Sequence, residues 1–560
     1  MPVPKISLPK QLNHWKPVSP ATFTSAQRPH TTLLFGGLTP AHEKLIQGGL
    51  SALGYHSAII PTPTQYDFQT GKELCNYGLC NPGYFTGGAL VNYLLDLENT
   101  GLSKAEIIQR YAYLTATSPC GPCRFGLYQN ELQLALEYSG YKGFRVLTIE
   151  QKPSLWGDTR LGLNVNSEFS LTLLYALLIG DLLNQMAYTI RPYETEPGET
   201  NRVLMKSVDY MSSTLATINA FSHDTSAHDT AAKRKTTNKA SSKYFSRVKL
   251  LSQWFNFFAG QNRKHILTAL HQVGHWFNDI EIDPLRLKPV VKITGEFWAQ
   301  TTEGDGNFKL FEFLESEGAA IHNEPVATWL DYLIHMERLK NKDQTQLIDK
   351  DEIRITPMDK IKAWMRYKKK QIALELIQYQ HASLYNAMRR ALYNLPSPLI
   401  NQQQLESLGH GYYHSRARGG EGHMEVAKNL YYHLNHLAHM TLSLKPFGCM
   451  PSTQSDGVQI AVQATYKNMI FIPIETGGEA KTSALSRVQM ALSDAKVKAN
   501  NEWRTTLQEC GLSIETVQRV IQQHPQLIRP ATCLTLHHGA ASVAANLAYH
   551  IKQILPSLTR

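Results

Sequence analysis

The sequence predicts an α/β protein built of two Rossmann-like parallel-sheet halves with helical insertions. Three observations carry that expectation. Short apolar runs alternate with helix-spaced segments between Thr31 and Ile149. The same alternation restarts near residue 288 with Val290-Val291-Lys292-Ile293-Thr294-Gly295. Between the two lies a polar, basic stretch with few large apolar residues. Strand, helix and strand within about 30 residues is the βαβ unit of a parallel sheet.

In chain order, residues 1–30 are proline-containing and aperiodic, and read as an extended arm. Residues 31–200 form the first half. Thr31–Phe35 is a β-rich run, and Ala41–Leu53 places Leu45, Leu50 and Leu53 on one side of a helix. Ser57–Ile60 is a second strand, stopped by Pro61 and Pro63. Tyr113–Thr117, Phe125–Tyr138 and Phe144–Ile149 read as strand, helix and strand. Residues 201–284 are a basic linker and helical insertion. Residues 285–445 are a second α/β half with a helix at Asn307–Glu317, a strand or turn at Ala319–Glu324, and a long helical region over 357–395. Residues 446–560 complete it, with a strand at Asn468–Ile474 and a helix at Ser486–Ala499.

A chain of 560 residues has room for roughly three to five domains or sub-domains. Seven cysteines in that length exclude a small disulfide scaffold. Met1-Pro2-Val3-Pro4-Lys5 lacks the basic-then-apolar pattern of a secretory signal, so a cytoplasmic location is expected. Phe169–Tyr188 is long enough to span a bilayer but contains Asp181, Asn184 and Gln185. An ionised Asp in hydrocarbon costs ~2.5–3.5 kcal/mol, which favours a buried helix and no membrane role. The net charge of +10 is concentrated between Asp229 and Asp279, where there are cations but no acid. Its Ser/Thr/Ala-rich start reads as a solvated linker, and the stretch lacks the interleaved aromatics of a nucleic-acid surface. No nucleic-acid partner is expected.

Five cysteines stand in distinctive places: Cys75-x4-Cys80, Cys120-x2-Cys123, and Cys449 after Lys445-Pro446-Phe447-Gly448. The Cys120 pair falls between a strand and a helix. In open α/β sheets ligands bind beyond the strand C-termini, and helix N-termini there favour thiolate. Three chemistries compete on spacing: an iron–sulfur cluster, structural zinc, and dithiol redox at the thioredoxin-like Cys-Gly-Pro-Cys. Zinc gives Cys449 no role, and Pro119 precedes the tetrapeptide where thioredoxins carry Trp. Cys510 and Cys533 read as ordinary buried cysteines.

Gly419-Gly420-Glu421-Gly422-His423-Met424-Glu425 opens a helix, and Glu421 and His423 are candidates for proton transfer. The plainer reading is a tight turn. His433, His436 and His439 drift by about 60° per step and cannot share one helical face. Arg124, Arg416 and Arg418 are candidate anion clamps, or partners of Glu131, Glu421 and Glu425. Gly477-Gly478-Glu479-Ala480-Lys481-Thr482 fails the P-loop pattern because Glu475 and Ala480 stand where glycines are required.

The blocks Cys75–Leu94, Ala116–Leu147, Gly411–Gln459 and Phe471–Leu492 resemble proteins related to the 2-hydroxyglutaryl-CoA dehydratase activators. With gaps, the resemblance runs from about residue 30 to 550. Members are often fused behind an ASKHA-type ATPase activase, and the wider superfamily includes double-cubane cluster proteins. The resemblance implies Rossmann-like domains holding a [4Fe-4S] or double-cubane cluster through Cys75, Cys80, Cys120, Cys123 and Cys449. Cys533 would complete a six-thiolate set. It further implies low-potential electrons received from a separate ASKHA-type activase and passed to a hard-to-reduce small molecule, a CoA thioester among the options, and a dimer by analogy with paired subunits. The alternatives left standing are a non-catalytic maturation or scaffold partner and a dithiol protein using Cys120 and Cys123.

Overall fold

A computed structural model describes residues 22–116, 123–149, 162–217, 261–350, 357–477 and 481–558. Most of the expected arm, most of the basic stretch, and Cys120 lie outside the described residues.

The first sheet contains β1 (Thr32–Phe35), β2 (His56–Ile59), β3 (Tyr111–Ala116) and β4 (Arg145–Ile149). The second contains β5 (Val290–Gly295), β6 (Ala320–His322), β7 (Met440–Pro446) and β8 (Phe471–Thr476). Every pairing is parallel, and the orders are β2-β1-β3-β4 and β6-β5-β7-β8. The second order is the first shifted by four, so the halves share one topology. The expected α/β class and its two parallel halves are therefore present. The boundary expected at 445/446 falls inside β7, whose partners β5 and β8 lie on either side of it in sequence.

In the first half the helices are α1 (Pro40–Ala52), α2 (Gln65–Leu74), α3 (Asn81–Asn99), α4 (Lys104–Arg110), α5 (Tyr128–Tyr138), α6 (Ser167–Ile190) and α7 (Glu199–Thr217). The remainder carries α8 (Gln261–Asn278), α9 (Phe297–Thr301), α10 (Leu310–Ser316), α11 (Val326–Lys350), α12 (Pro357–Ala391), α13 (Gln402–Gly409) and α14 (Gly422–Leu434). It ends with α15 (Met450–Thr465), α16 (Lys481–Cys510), α17 (Ile514–Gln523), α18 (Pro530–Cys533) and α19 (Val543–Leu558).

Local chemistry explains the starts. Thr39 accepts from the His42 amide ahead of Pro40, and Thr64 with Asp67 closes a reciprocal cap on α2. Helices α2 and α3 touch through glycine: a Cβ on Gly71 would overlap the Tyr84 carbonyl, and one on Gly88 the Asp67 carbonyl.

Helix α6 holds the halves together. It packs on α1 and α7, and also on β6 and α11. Its Leu178, Ile179, Leu182 and Leu183 belong to one continuous core with Leu33 and Leu45 of the first half and Ala320, Leu384 and Leu547 of the second. The helix is long and apolar enough to cross a membrane by length and composition, yet most of it is buried inside the fold.

Candidate functional site

Both sheets bring strand C-termini to one seam between the halves. Strand β5 ends at Gly295 with φ 119°, where a Cβ would overlap the Leu444 carbonyl oxygen. The chain then turns out through Glu296, whose carboxylate accepts from the Ala299 amide at 3.0 Å and caps α9. Strand β7 ends at Pro446, and Cys449 follows at the N-cap of α15. From the other half, Cys80 occupies the N-cap of α3.

The loops that carry these two cysteines are fastened to each other across the seam. The Asn81 amide donates to the Phe447 carbonyl at 3.1 Å, and the Asn81 side chain donates to the Thr476 carbonyl. Gly448 lies against Cys80, and a Cβ there would come 3.4 Å from the Cys80 Cα. Phe85 of α3 stacks against Trp298 of α9 with centroids 5.3 Å apart.

Cys80 Sγ shares a hydrogen bond of 2.9 Å with the Tyr128 hydroxyl. Cys449 Sγ donates to Ser452 Oγ at 3.3 Å. Ser452 in turn donates to Glu425 at 2.8 Å, and Ser455 donates to the other Glu425 oxygen. Burial pushes the Cys80 thiol up to about 11 against the pull of Tyr128, and Glu296 adds to the rise. Burial, then Glu296, raises Cys449 as well. Glu296 itself is pushed up to about 7 by desolvation. Burial holds Glu421 well above the carboxylate range, with Glu296 and Glu425 adding to the rise. Lys445, buried and paired with Asp456, is lowered to about 8 by desolvation.

The expected residues separate into groups. Cys80 and Cys449 share the influence of Glu296. Cys123, at the turn entering α5, bears on Tyr128, and its neighbour Arg124 lies over Gly78 in the loop that carries Cys80. Cys75 sits one layer back: its sulfur faces Gly87 of α3, and burial, with Glu131, pushes it up to about 12. Cys120 lies outside the described residues. Cys533 is in the large α6-centred core with Val517 and Ile551, apart from the cluster that holds Cys75 and Cys80.

The expected Glu421–His423 pair faces two ways. Glu421 feels Lys428 first among its charged neighbours, then Glu296 and Glu425. His423 packs on Gly409 of α13, and burial lowers it to about 4. Arg416 pairs with Glu406 and Asp343 rather than with Glu421 or Glu425. Glu131 receives the Asn76 amide at 3.1 Å instead of Arg124. His439 accepts from the Val290 amide at 2.9 Å, away from His433, which rests on Tyr466. Sequence reasoning missed Glu296 and Tyr128, took Glu425 only as an arginine partner, and gave Lys445 no role. For Glu296 the signal was present, since it directly follows a glycine-terminated strand.

Among the described residues, no three His, Cys, Asp or Glu side chains form a group that could hold a metal ion. Cys80 and Cys449 are buried thiols from opposite halves, each at the start of a helix, and Cys123 acts on Tyr128, the partner of Cys80. A thiol in such a carboxyl-rich crevice is held neutral by its own surroundings, and a bound cation reverses that balance. Tyr128 and Ser452 are the hydrogen-bond partners of Cys80 and Cys449. No family model and no curated protein matches this chain.

Proposed function

We propose that this chain is a cytoplasmic iron–sulfur protein related to the 2-hydroxyacyl-CoA dehydratases. In this reading it accepts low-potential electrons from a separate ASKHA-type ATPase activase. It passes them to a small molecule that ordinary ferredoxins cannot reduce, a CoA thioester being one class. One observation carries the reading. The two halves share a topology, β3 and β7 are equivalent strands, and Cys123 and Cys449 each stand between such a strand and its next helix. The chain next to Cys80 bonds to the chain next to Cys449 across the seam. A [4Fe-4S] or double-cubane cluster supplies one-electron chemistry when bound. The chain supplies thiols, hydrogen bonds to sulfur, and a crevice whose carboxyl groups disfavour uncompensated negative charge.

The test is iron and acid-labile sulfide on anaerobically purified protein, with EPR after reduction. About four or about eight irons per chain are expected. Cys80→Ala, Cys123→Ala and Cys449→Ala should lose iron and signal, and Cys533→Ala should keep both. Absence of iron after anaerobic reconstitution would sink the proposal. A second reading has its own support: Cys123 follows β3 and precedes α5, the strand–C-x2-C–helix order of dithiol proteins. It predicts no iron and a reversible Cys120–Cys123 disulfide. Bound iron without ATP-dependent electron uptake would instead indicate a scaffold.

A further inference from the structure

Helix α12 packs one side on α11 and leaves the other in solvent. The packed side is fixed by Gln378 donating to Asp331 at 3.0 Å, Asn341 donating to the Tyr367 carbonyl at 3.3 Å, and Lys370 pairing with Glu337 at 3.3 Å. On the outer side Met358, Ile361, Met365, Ile372, Leu376 and Tyr379 are each more than half exposed. At 100° per residue these fall on one stripe. Met358, Met365, Ile372 and Tyr379 recur every seventh residue, with Ile361 between the first two. That repeat is the signature of a helix lying beside another helix.

The flank of the stripe is basic. From residue 360 to 370 there are six cations and no acid, and Lys362, Arg366 and Lys369 form a row at helical spacing. Lys368 borders the stripe on its other edge, over Trp364.

Charge selects the occupant. A second copy docked by the same stripe would set lysine row against lysine row, which opposes association. The chain's own longer undescribed stretches carry the same sign: residues 1–21 have three lysines and no acid, and 230–260 are rich in Lys and Arg without an acid. Cations on both edges of a heptad-spaced apolar stripe suit a facing helix that carries carboxylates on its flanks.

We propose that the exposed face of α12 docks an acidic amphipathic helix of another protein. Its apolar side lies on Met358, Met365, Ile372 and Tyr379, and its carboxylates face Lys362, Arg366, Lys368 and Lys369. This stands apart from the cluster reading.

The probe is a dye-labelled synthetic helix of about three heptads with Leu at the seam and Glu on its flanks, titrated with the full chain and followed by anisotropy. Saturable binding is expected, falling several-fold between about 0.05 and about 0.3 M salt. Two variants, Met365→Glu/Ile372→Glu and Lys362→Glu/Arg366→Glu/Lys369→Glu, should each weaken it by roughly tenfold or more. Their exposed positions predict unchanged circular dichroism and melting. The proposal is overturned by no saturable binding, by either variant binding within about twofold of the parent, or by equal binding of a Lys-flanked version of the peptide. Phosphatidylserine-vesicle flotation or self-association that the variants abolish, without peptide binding, also overturns it and assigns the face to lipid or to a second copy.

Discussion

Asp181 is a carboxylate in the middle of an apolar helix, and its partners explain its presence. One oxygen accepts from the Val326 amide at 2.7 Å and meets His42 Nε2 at 3.2 Å, and the other accepts from the Ala327 amide at 2.8 Å. Asp181 of α6 thus caps α11, 145 residues away. Each buried N–H left unpaired costs about 1–3 kcal/mol. Asp181→Ala should therefore destabilise the fold by several kcal/mol in urea titration, and Asp181→Asn, which keeps an acceptor, by less. In the sequence Asp181 argues only against a membrane span, because a cap supplied from a distant helix leaves no local pattern. Tyr128 is the corresponding residue at the seam. If Cys80 ligates a cluster, Tyr128→Phe removes a hydrogen bond to its sulfur while leaving the ring in place. The reduction potential should then move to a more negative value with iron content unchanged. An unchanged potential would place the Tyr128 hydroxyl outside the electronic control of the site.

At the scale of elements, those with flanking punctuation were legible and those without it were not. Strands β1, β2, β4 and β5 lie within a residue or two of expectation, each closed by Gly, Pro or a polar turn. Strand β7 was missed although it is a central strand of its sheet. Its Met440, Leu442 and Leu444 alternate with Thr441, Ser443 and Lys445, a strand signal that was present, although all seven residues are buried, and it follows α14 after a short turn in which His436 takes φ 51°. Helix α3 was not anticipated, and its Gly88 serves the close contact with α2. The join of α16 to α19 gives a pH prediction. Burial alone would raise Glu502, but His439, Ser542 and the Ala541 amide bond its carboxylate and pull it down to about 2 from 4.5. Folded Glu502 holds its proton less tightly than unfolded Glu502. It therefore contributes stability above about pH 4.5 that is lost as pH falls toward 2, at most about 3 kcal/mol. Glu502→Gln should lower stability at pH 7 and flatten its fall between pH 5 and 3, as read by urea midpoints. A parallel fall in both proteins would count against the linkage.

For the whole molecule, the α/β class with two parallel halves was readable from composition runs and their restart near residue 288. The seam was not, because nothing in one sequence reports that Asn81 bonds to strand ends some 400 positions later or that Trp298 packs on Phe85. The core through α6 makes the two sheets one cooperative unit. Circular dichroism and tryptophan fluorescence should give coincident urea transitions, and residues 22–217 expressed alone should lack a sharp one. Two well-separated transitions in the full chain would refute a shared core.

The placement of Cys80 and Cys449 on opposite halves has a mechanical consequence. Anything that bridges the two sulfurs is also a clasp, and its binding free energy adds to whatever already keeps the halves shut. Filling the crevice and tightening the seam then become one event. A partner that probes only the outer shape of the protein would still distinguish a loaded chain from an empty one.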